Sequence, residues 1–476
     1  MIKHDSRHMS ITHSRKSDMV AFYTMFAGTF FLCISQSMMI NALPSIMTEF
    51  SISAEYGQLI TTGYIFGLGL FSAMSAVLVD RYSTRSLCLV SFAAFIAGCI
   101  VCIFAPDFTT LLIGRLLQAG GAGISLPLIQ NVALIIYPEN QYGKAMGAVG
   151  LIIGFAPALG PAVAGPIIDM LGWRAVFVIL GVCVAGSAVL AAIFVRNLSP
   201  CRDAKFNVPS AILLCAGSIL VMAGLTHAEA SSIGDPLAWA ELAAGFAILA
   251  VYAIHERKSA DPLLHLGSFR SKRFSVDCIL IIFGNASMMI ASIMIPLYVQ
   301  GVQGDSATMS GFVIMPGAIL LGLLNPVAGR LYDKYGARPL ALVGGLLIFA
   351  GTAAFVPCTA ETPAWAITLI YGIRTIGIAC IWTPMVADAA IALPPAEKAQ
   401  ATAISTSLRQ TASAMLATVF VSIMSTNSPD ASGISDYGFD ISFTALAAFS
   451  LAMLVFTALC VRWKHTPRKT GRTSGN

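Results

Sequence analysis

The chain has 476 residues, of which 57% are hydrophobic and only 11% are Asp, Glu, Lys or Arg, against about 25% charged residues in soluble domains. So few charges cannot furnish a water-facing surface, which excludes a soluble enzyme, a disordered chain and a nucleic-acid binder. The net charge of +5 must therefore be read by position, because the side on which basic residues fall sets the orientation of a membrane protein.

A short basic tail, 1–18, precedes a first apolar run at 19–42, too long for a signal-peptide core and read as a retained span. Further runs follow at 56–79, 86–105, 109–135, 144–168, 173–195, 207–227, 236–255, 273–299, 307–330, 338–358, 363–388, 398–424 and 440–462. Each is long enough to cross about 30 Å of hydrocarbon as a helix. Helices are required because backbone groups in lipid must be satisfied within the segment, and the runs are too long for barrel strands of about ten alternating residues. The expected fold is an all-α polytopic membrane protein with 14 transmembrane helices. No long soluble domain interrupts it; the longest breaks lie near 256–272 and 425–439.

Basic residues occupy alternate breaks: Lys3, Arg7, Arg15 and Lys16 in the tail, then Arg81 and Arg85, Lys144, Arg196, Arg202 and Lys205. The series continues with Arg257 to Arg273, with Arg330, Lys334 and Arg338, with Lys398, and with Arg462 to Arg472. The opposite breaks hold Arg174 and otherwise acids, including Glu49, Asp107, Asp169, Glu229, Asp305, Glu361 and Asp436. The positive-inside rule places both termini in the cytoplasm, which demands an even number of spans. Three bases, Arg115, Arg374 and Arg409, fall inside spans. The 11 cysteines are scattered without ligand spacing, so neither disulfides, a metal site nor a cofactor is expected.

The break after the second span reads AVLVDRYSTRSL, 76–87, and the break after the tenth reads GRLYDKYGARPL, 329–340. Both set an acid, Asp80 or Asp333, five residues before an arginine, Arg85 or Arg338. Arg115 in span 4 precedes a proline by 12 residues, and Arg374 in span 12 precedes one by 10. A repeated order of features is the mark of two related halves. The expected layout is a tail 1–18, a six-helix half 19–195, two inserted helices within 196–255, a cytoplasmic linker 256–272, a second six-helix half 273–462, and a tail 463–476.

These motifs resemble those of major facilitator superfamily transporters of the fourteen-span drug/proton antiporter type. The second-half loop keeps Gly329, Asp333, Gly336 and Arg338 of the family's G-x-L-a-D-r-x-G-r-r pattern, while the first-half copy has Ala76 and Ser83 in place of its glycines. RLLQAGGAG at 115–123 is similar to R-x-x-Q-G-x-G, and GFAPALGPAVAG at 154–165 closely resembles the antiporter motif G-x-a-P-a-l-G-P-x-x-G-G. DPLL at 261–264 and LRQ at 408–410 also match that branch. The resemblance covers nearly the whole chain and implies a major facilitator fold, transport by alternating access, and a proton-relay role for Arg115.

Physically, an acid at a helix end can meet an arginine or a helix N-terminus and lock one state of a rocking bundle, which gives Asp80, Arg85, Asp333 and Arg338 a gating role. Small residues at Gly150, Gly154, Ala158 and Ala162 flatten one face of span 5, and Pro157 and Pro161 permit a bend. With Gly160, these residues read as a hinge and seal; close packing with no moving part is the alternative. Intramembrane guanidinium groups need partners or a wet cavity, so Arg115, Gln118 one turn on, Arg374 and Arg409 are candidate binding or coupling residues. Ser35, Gln36 and Asn285 join them, and Tyr64, Tyr371, Trp382, Met38, Met288 and Met289 are candidate cavity-lining residues.

The family's span-1 motif resembles L-D-x-T-i-V-N-V-A-L-P, and here Ser35 stands where the acid is expected. No Asp, Glu or His lies in mid-span; Asp277 and Asp388 fall near the cytoplasmic face and Glu241 toward the outside. Two readings follow. One is a cell-membrane exporter of small amphipathic molecules or drugs, working as a monomer with protons as candidate coupling ion. The other is a proton-independent transporter, importer or flippase for an anionic or zwitterionic metabolite or lipid. No H-E-x-x-H, G-x-S-x-G or nucleotide-binding loop is present, so an enzyme or a self-contained ATP-driven pump is not expected.

Overall fold

Apolar runs of this length satisfy their backbone only as helices, and every regular element among the described residues of the computed structural model is a helix. These are 15–52, 54–198, 206–231, 236–259, 262–305, 307–394, 398–426 and 436–461. They form α1 (Arg15–Phe50), α2 (Ala54–Arg81), α3 (Thr84–Ile103), α4 (Phe108–Ile136), α5 (Tyr142–Leu171), α6 (Trp173–Phe194) and α7 (Val208–Ser231). Next come α8 (Pro236–Lys258), α9 (Lys272–Gly301), α10 (Ala307–Tyr335), α11 (Ala337–Ala353), α12 (Ala364–Ile391), α13 (Lys398–Thr426) and α14 (Asp436–Cys460). Short 3-10 turns lie at Glu139–Gln141 and Leu266–Arg270. Among the described residues, ten helices are long and apolar enough to cross a membrane. Large apolar side chains such as Val90, Phe104, Val182, Leu190 and Trp365 are exposed on the outside of the bundle, where a bilayer rather than water is the matching solvent.

The packing repeats with an offset of eight helices. α3 packs on α4 and α6, α1 on α5 and α6, and α2 on α4. Correspondingly, α11 packs on α12 and α14, α9 on α13 and α14, and α10 on α12. The two sets meet along α5 against α10 and α2 against α13. α7 and α8 pack chiefly on each other, and α7 touches the rest through α2 and α13.

The two copies of the Asp-Arg loop turn differently. α10 gives way to α11 at Gly336, whose φ of +80° lies in the left-handed region that favours glycine. The first-half junction has Ser83 instead, at φ −66° and ψ 146°, an ordinary extended conformation. Its side chain accepts from the backbone N–H of Ser86 at 3.1 Å and caps α3. The missing glycine is thus replaced by an N-cap.

At the acidic end, Arg174 ties three junctions together. Its Nη1 donates to Glu49 Oε1 at 2.6 Å, its Nη2 donates to the carbonyl of Ala105 at 3.2 Å, and Trp173 Nε1 donates to Glu49 Oε2 at 2.7 Å. Burial alone would raise the Glu49 carboxyl, but these hydrogen bonds and the Arg174 charge hold it below its usual value. The single base among acidic breaks therefore has a structural partner.

Candidate functional site

Arg115 is buried on α4, between α1 and α2. Its Nη1 donates to Gln118 Oε1 at 2.7 Å and to Ser35 Oγ at 3.0 Å, and its Nε donates to the carbonyl of Ile60 at 3.4 Å. The guanidinium lies over the ring of Tyr64, 4.1 Å from the centroid, where the ring face attracts a cation. Gln118 Nε2 reaches Cys99 Sγ at 3.1 Å. The three-residue spacing of Arg115 and Gln118 puts both on one helix face, and α1 adds the Ser35 hydroxyl where the resemblance expects an acid. Arg115 Nη2 has no partner among the described residues. Gln36 is half-buried beside Ser35 and stands outside this network.

In the second set of helices, Arg409 Nη1 donates to Asn285 Oδ1 at 2.9 Å, and its guanidinium lies 5.4 Å from the ring centroid of Trp382. Arg374 is held by one hydrogen bond, Nε to Thr352 Oγ1 at 3.0 Å. Arg409 Nη2 and both Nη atoms of Arg374 are buried without a partner among the described residues. A cavity of about 10 Å³, room for roughly one water, is lined by Asn285, Met288 and Trp382 with Ile153, Leu321 and Asn325 among its walls. Of the residues named from the sequence, Asn285, Trp382 and Met288 line this cavity. Asn325 is a further polar residue of this cavity, and the signal that could have found it is an amide within an apolar run, three positions after Gly322. It donates to the carbonyl of Gly150 on α5 at 2.8 Å and accepts from Thr383 Oγ1 at 2.8 Å.

The seam between α5 and α10 runs from this cavity to the basic end. A methyl group built on Gly154 would meet the backbone of Gly322 at 2.5 Å, and one on Gly147 would meet the backbone of Asn325 and Pro326 at 2.8 Å. Gly143 and Gly329 oppose each other so closely that neither has room for a Cβ. Gly160 faces the other way, onto Ser37 of α1. The span-5 motif thus splits its small residues between the facing half and its own half. Pro157 and Pro161 fall within α5, but their side chains lie outside the described residues, as do those of Ala158 and Ala162.

Asp333 closes the end of this seam. An acid near the C-terminus of its own helix is unfavourably placed in the helix dipole. Its carboxylate accepts from the backbone N–H groups of Gly143 at 2.8 Å and Lys144 at 2.9 Å, in the first turn of α5. Gln141, the residue that precedes α5, supplies no side-chain cap. Asp80 occupies the matching place near the end of α2. Arg85 donates to the carbonyl of Ala192 at 2.6 Å, within its own set of helices, and Arg338 is exposed. The arginines of the two loops therefore do not bridge the seam among the described residues. Position 261 lies outside the described residues, while Leu263 packs against Val77 and Ala211.

A further charged cluster was not legible as a unit. Arg273 forks onto Asp388, Nε to Oδ2 at 2.7 Å and Nη2 to Oδ1 at 2.5 Å, and Tyr332 donates its hydroxyl to Asp388 Oδ1 at 2.7 Å. Asp277 is fully buried one turn after Arg273, with neither oxygen hydrogen-bonded among the described residues. The one available clue was the i, i+4 spacing of Arg273 and Asp277. No group of three or more His, Cys, Asp and Glu is placed to hold a metal ion among the described residues.

Residues 25–418 match the Major Facilitator Superfamily. The chain is 34% identical over 396 residues to the MFS-type transporter YhcA of Bacillus subtilis (strain 168), covering 83% of this chain and 74% of that one. It is 30% identical over 391 residues to the lincomycin resistance protein LmrB of Listeria monocytogenes, covering 82% and 83% of the two chains. Among solved structures it is similar to the proton:xylose symporter XylE, with a TM-score of 0.66 at 14% identity, over 94% of this chain and 97% of that one.

Proposed function

This chain belongs to the Major Facilitator Superfamily, a multi-pass membrane protein of the cell membrane and a transporter rather than an enzyme, and from that premise we propose that it is a secondary active exporter of small amphipathic molecules. The halves 19–195 and 273–462 rock about a central site, with α7 and α8 as an inserted pair. This completes 14 spans with both termini cytoplasmic, in the manner of the drug/proton antiporter branch. The relationship to a lincomycin resistance protein supports an export direction and a drug-like substrate. The protein works as a monomer, and no nucleic acid or cofactor takes part.

The observation that carries this reading is the α5–α10 seam. It joins the two sets of helices through backbone-close glycines and ends in a latch of two hydrogen bonds onto Asp333. Such a seam is tight yet held by few polar bonds, as a surface that opens and closes requires. With the basic end in the cytoplasm, the seam closes the cytoplasmic side of the site, and its separation exposes the central cavity to the cell interior.

A second reading concerns the substrate. Arg115, Arg374 and Arg409 each hold buried N–H donors without a partner, and no carboxylate is hydrogen-bonded to any of them among the described residues. Unpartnered guanidinium donors beside the rings of Tyr64 and Trp382 favour an aromatic molecule bearing an acid group over a cationic drug. Import or flipping of an anionic or zwitterionic molecule uses the same groups. Purified protein in liposomes, offered a fluorescent aromatic acid and an aromatic cation of similar size under an imposed pH gradient, separates these cases. Gradient-driven, saturable movement of the acid supports the arginine site, and movement of the cation alone assigns the chain to cationic drugs. Absence of any movement counts against export of such molecules.

A further inference from the structure

We propose that Asp277, Asp388, Arg273 and Tyr332 form a proton-binding site, in which the carboxyl pair takes up and releases one proton as the protein changes state. The proposal deepens the transporter reading by locating a titrating group that the sequence leaves unassigned in mid-span. It stands on the geometry of three helices, α9, α10 and α12.

Asp388 is fully committed. It receives both donors of the Arg273 fork and the Tyr332 hydroxyl. Asp277, one turn along α9 from Arg273, is buried within electrostatic reach of Asp388, and neither of its oxygens receives a hydrogen bond from another group among the described residues. One guanidinium balances one carboxylate. Two buried carboxylates on one arginine would leave an unpaired charge in a low-dielectric setting, which is strongly unfavourable. The cluster is neutral with one proton bound, and the donor-free carboxyl of Asp277 is its place in this state. The charged and titratable groups around Asp277 are Arg273 and Cys278 on its own helix, Asp388 on α12 and Tyr332 on α10; α13 and α14 contribute none among the described residues.

Proton transfer here makes or breaks only an O–H bond, between an Asp277 carboxyl oxygen and water reaching the cluster from the basic end. On release, the new carboxylate competes with Asp388 for Arg273, and the fork and the Tyr332 bond no longer suit a single acceptor. Tyr332 immediately precedes Asp333, whose carboxylate holds the first turn of α5. The proton on the pair therefore acts on the same stretch of α10 that latches the two halves.

The test is infrared difference spectroscopy on the full chain in liposomes, titrated from acid to alkaline pH in H2O and D2O. The wild type is expected to give a protonated-carboxyl C=O band at neutral pH that shifts in D2O and disappears on alkaline titration. Asp277→Asn should lose this band. Asp388→Asn should lose it as well, because Arg273 is then free to pair with the Asp277 carboxylate. If either variant folds poorly, the other carries the test. A wild type with no such band, or a band that survives both substitutions, overturns the proposal. The measurement needs no transported molecule, so its failure leaves the transporter reading intact. Conversely, absence of dye flux with the band present counts against that reading alone.

Discussion

Asp333 caps a helix to which it does not belong. Its carboxylate accepts the backbone N–H of Gly143 at 2.8 Å and that of Lys144 at 2.9 Å, across 189 or more positions of sequence. N-terminal amides of a helix otherwise go unsatisfied, and the loss of a capping carboxylate costs about 1 kcal/mol. Here that energy is spent between the two sets of helices, so the cap doubles as a latch.

Asp333→Ala is therefore expected to loosen the first turn of α5 and the end of α10 together, while distant helices stay protected. Hydrogen–deuterium exchange read by mass spectrometry checks this. Asp333→Asn keeps one acceptor oxygen and should fall between the wild type and the alanine variant. Unchanged exchange in the first turn of α5 would contradict a latch.

The glycine seam predicts a steep steric dependence. At Gly154 an added methyl meets the backbone of Gly322, which cannot move aside as a flexible side chain would. Gly154→Val should hold α5 and α10 apart, lower the thermal midpoint and speed exchange along both helices. Gly186→Ala is the matched control, since nothing lies within 4 Å of its added Cβ. It should be neutral or slightly stabilising, by up to about 1 kcal/mol. Equal effects at the two glycines would show that the seam is not the cause.

Ser35 and Arg115 give a prediction about charge. Removing the hydroxyl in Ser35→Ala leaves a further buried donor unpaired, a cost of about 1–3 kcal/mol. Ser35→Asp instead sets a carboxylate beside Arg115 and fills the role the family motif gives to an acid. Binding of an aromatic acid to the purified Ser35→Asp protein should weaken by about tenfold, equivalent to about 1.4 kcal/mol, while an aromatic cation gains. Isothermal titration with both dyes tests the pair, and an acid affinity unaffected by Ser35→Asp would separate Arg115 from substrate binding.

Glu49 supplies a pH dependence at the acidic end. Burial opposes its charge, but Trp173 and Arg174 hold its carboxyl below its unfolded value. A depressed carboxyl contributes stability that is present above the unfolded value and lost as pH falls through the folded one. The wild-type thermal midpoint should therefore fall on acidification through that range, and Glu49→Gln should flatten part of the fall. The carboxylate is 41% exposed, so solvent screening keeps the effect small.

Much of the bundle was legible because lipid imposes simple demands. Long apolar runs must be helices, and ten of the described helices are long and apolar enough to cross a membrane. α1 extends beyond its apolar run, to Phe50, because polar residues outside the lipid can prolong a helix without being apolar. The spacing of Gly150 and Gly154 in span 5 is visible in the sequence, and both face α10 closely. The partners of span 5 were not legible: nothing in the local sequence says that Gly154 meets Gly322 while Gly160 meets Ser37. The Arg273–Asp388 fork was hidden for the same reason. Residues 115 positions apart carry no shared periodicity, and each looked like an ordinary charge at a membrane face. Ser83 departs from a glycine motif, and only its backbone angles and side-chain hydrogen bond explain it as a cap.

The central claim is that substrate crosses through the arginine-lined centre of the bundle. The most direct measurement is the flux of a fluorescent aromatic acid in liposomes carrying the wild type or Arg115→Ala, at matched insertion and helix content. Saturable wild-type flux, and flux at the protein-free level in Arg115→Ala, is the predicted result. Equal flux in the two proteins would contradict it and reduce Arg115 to a packing residue.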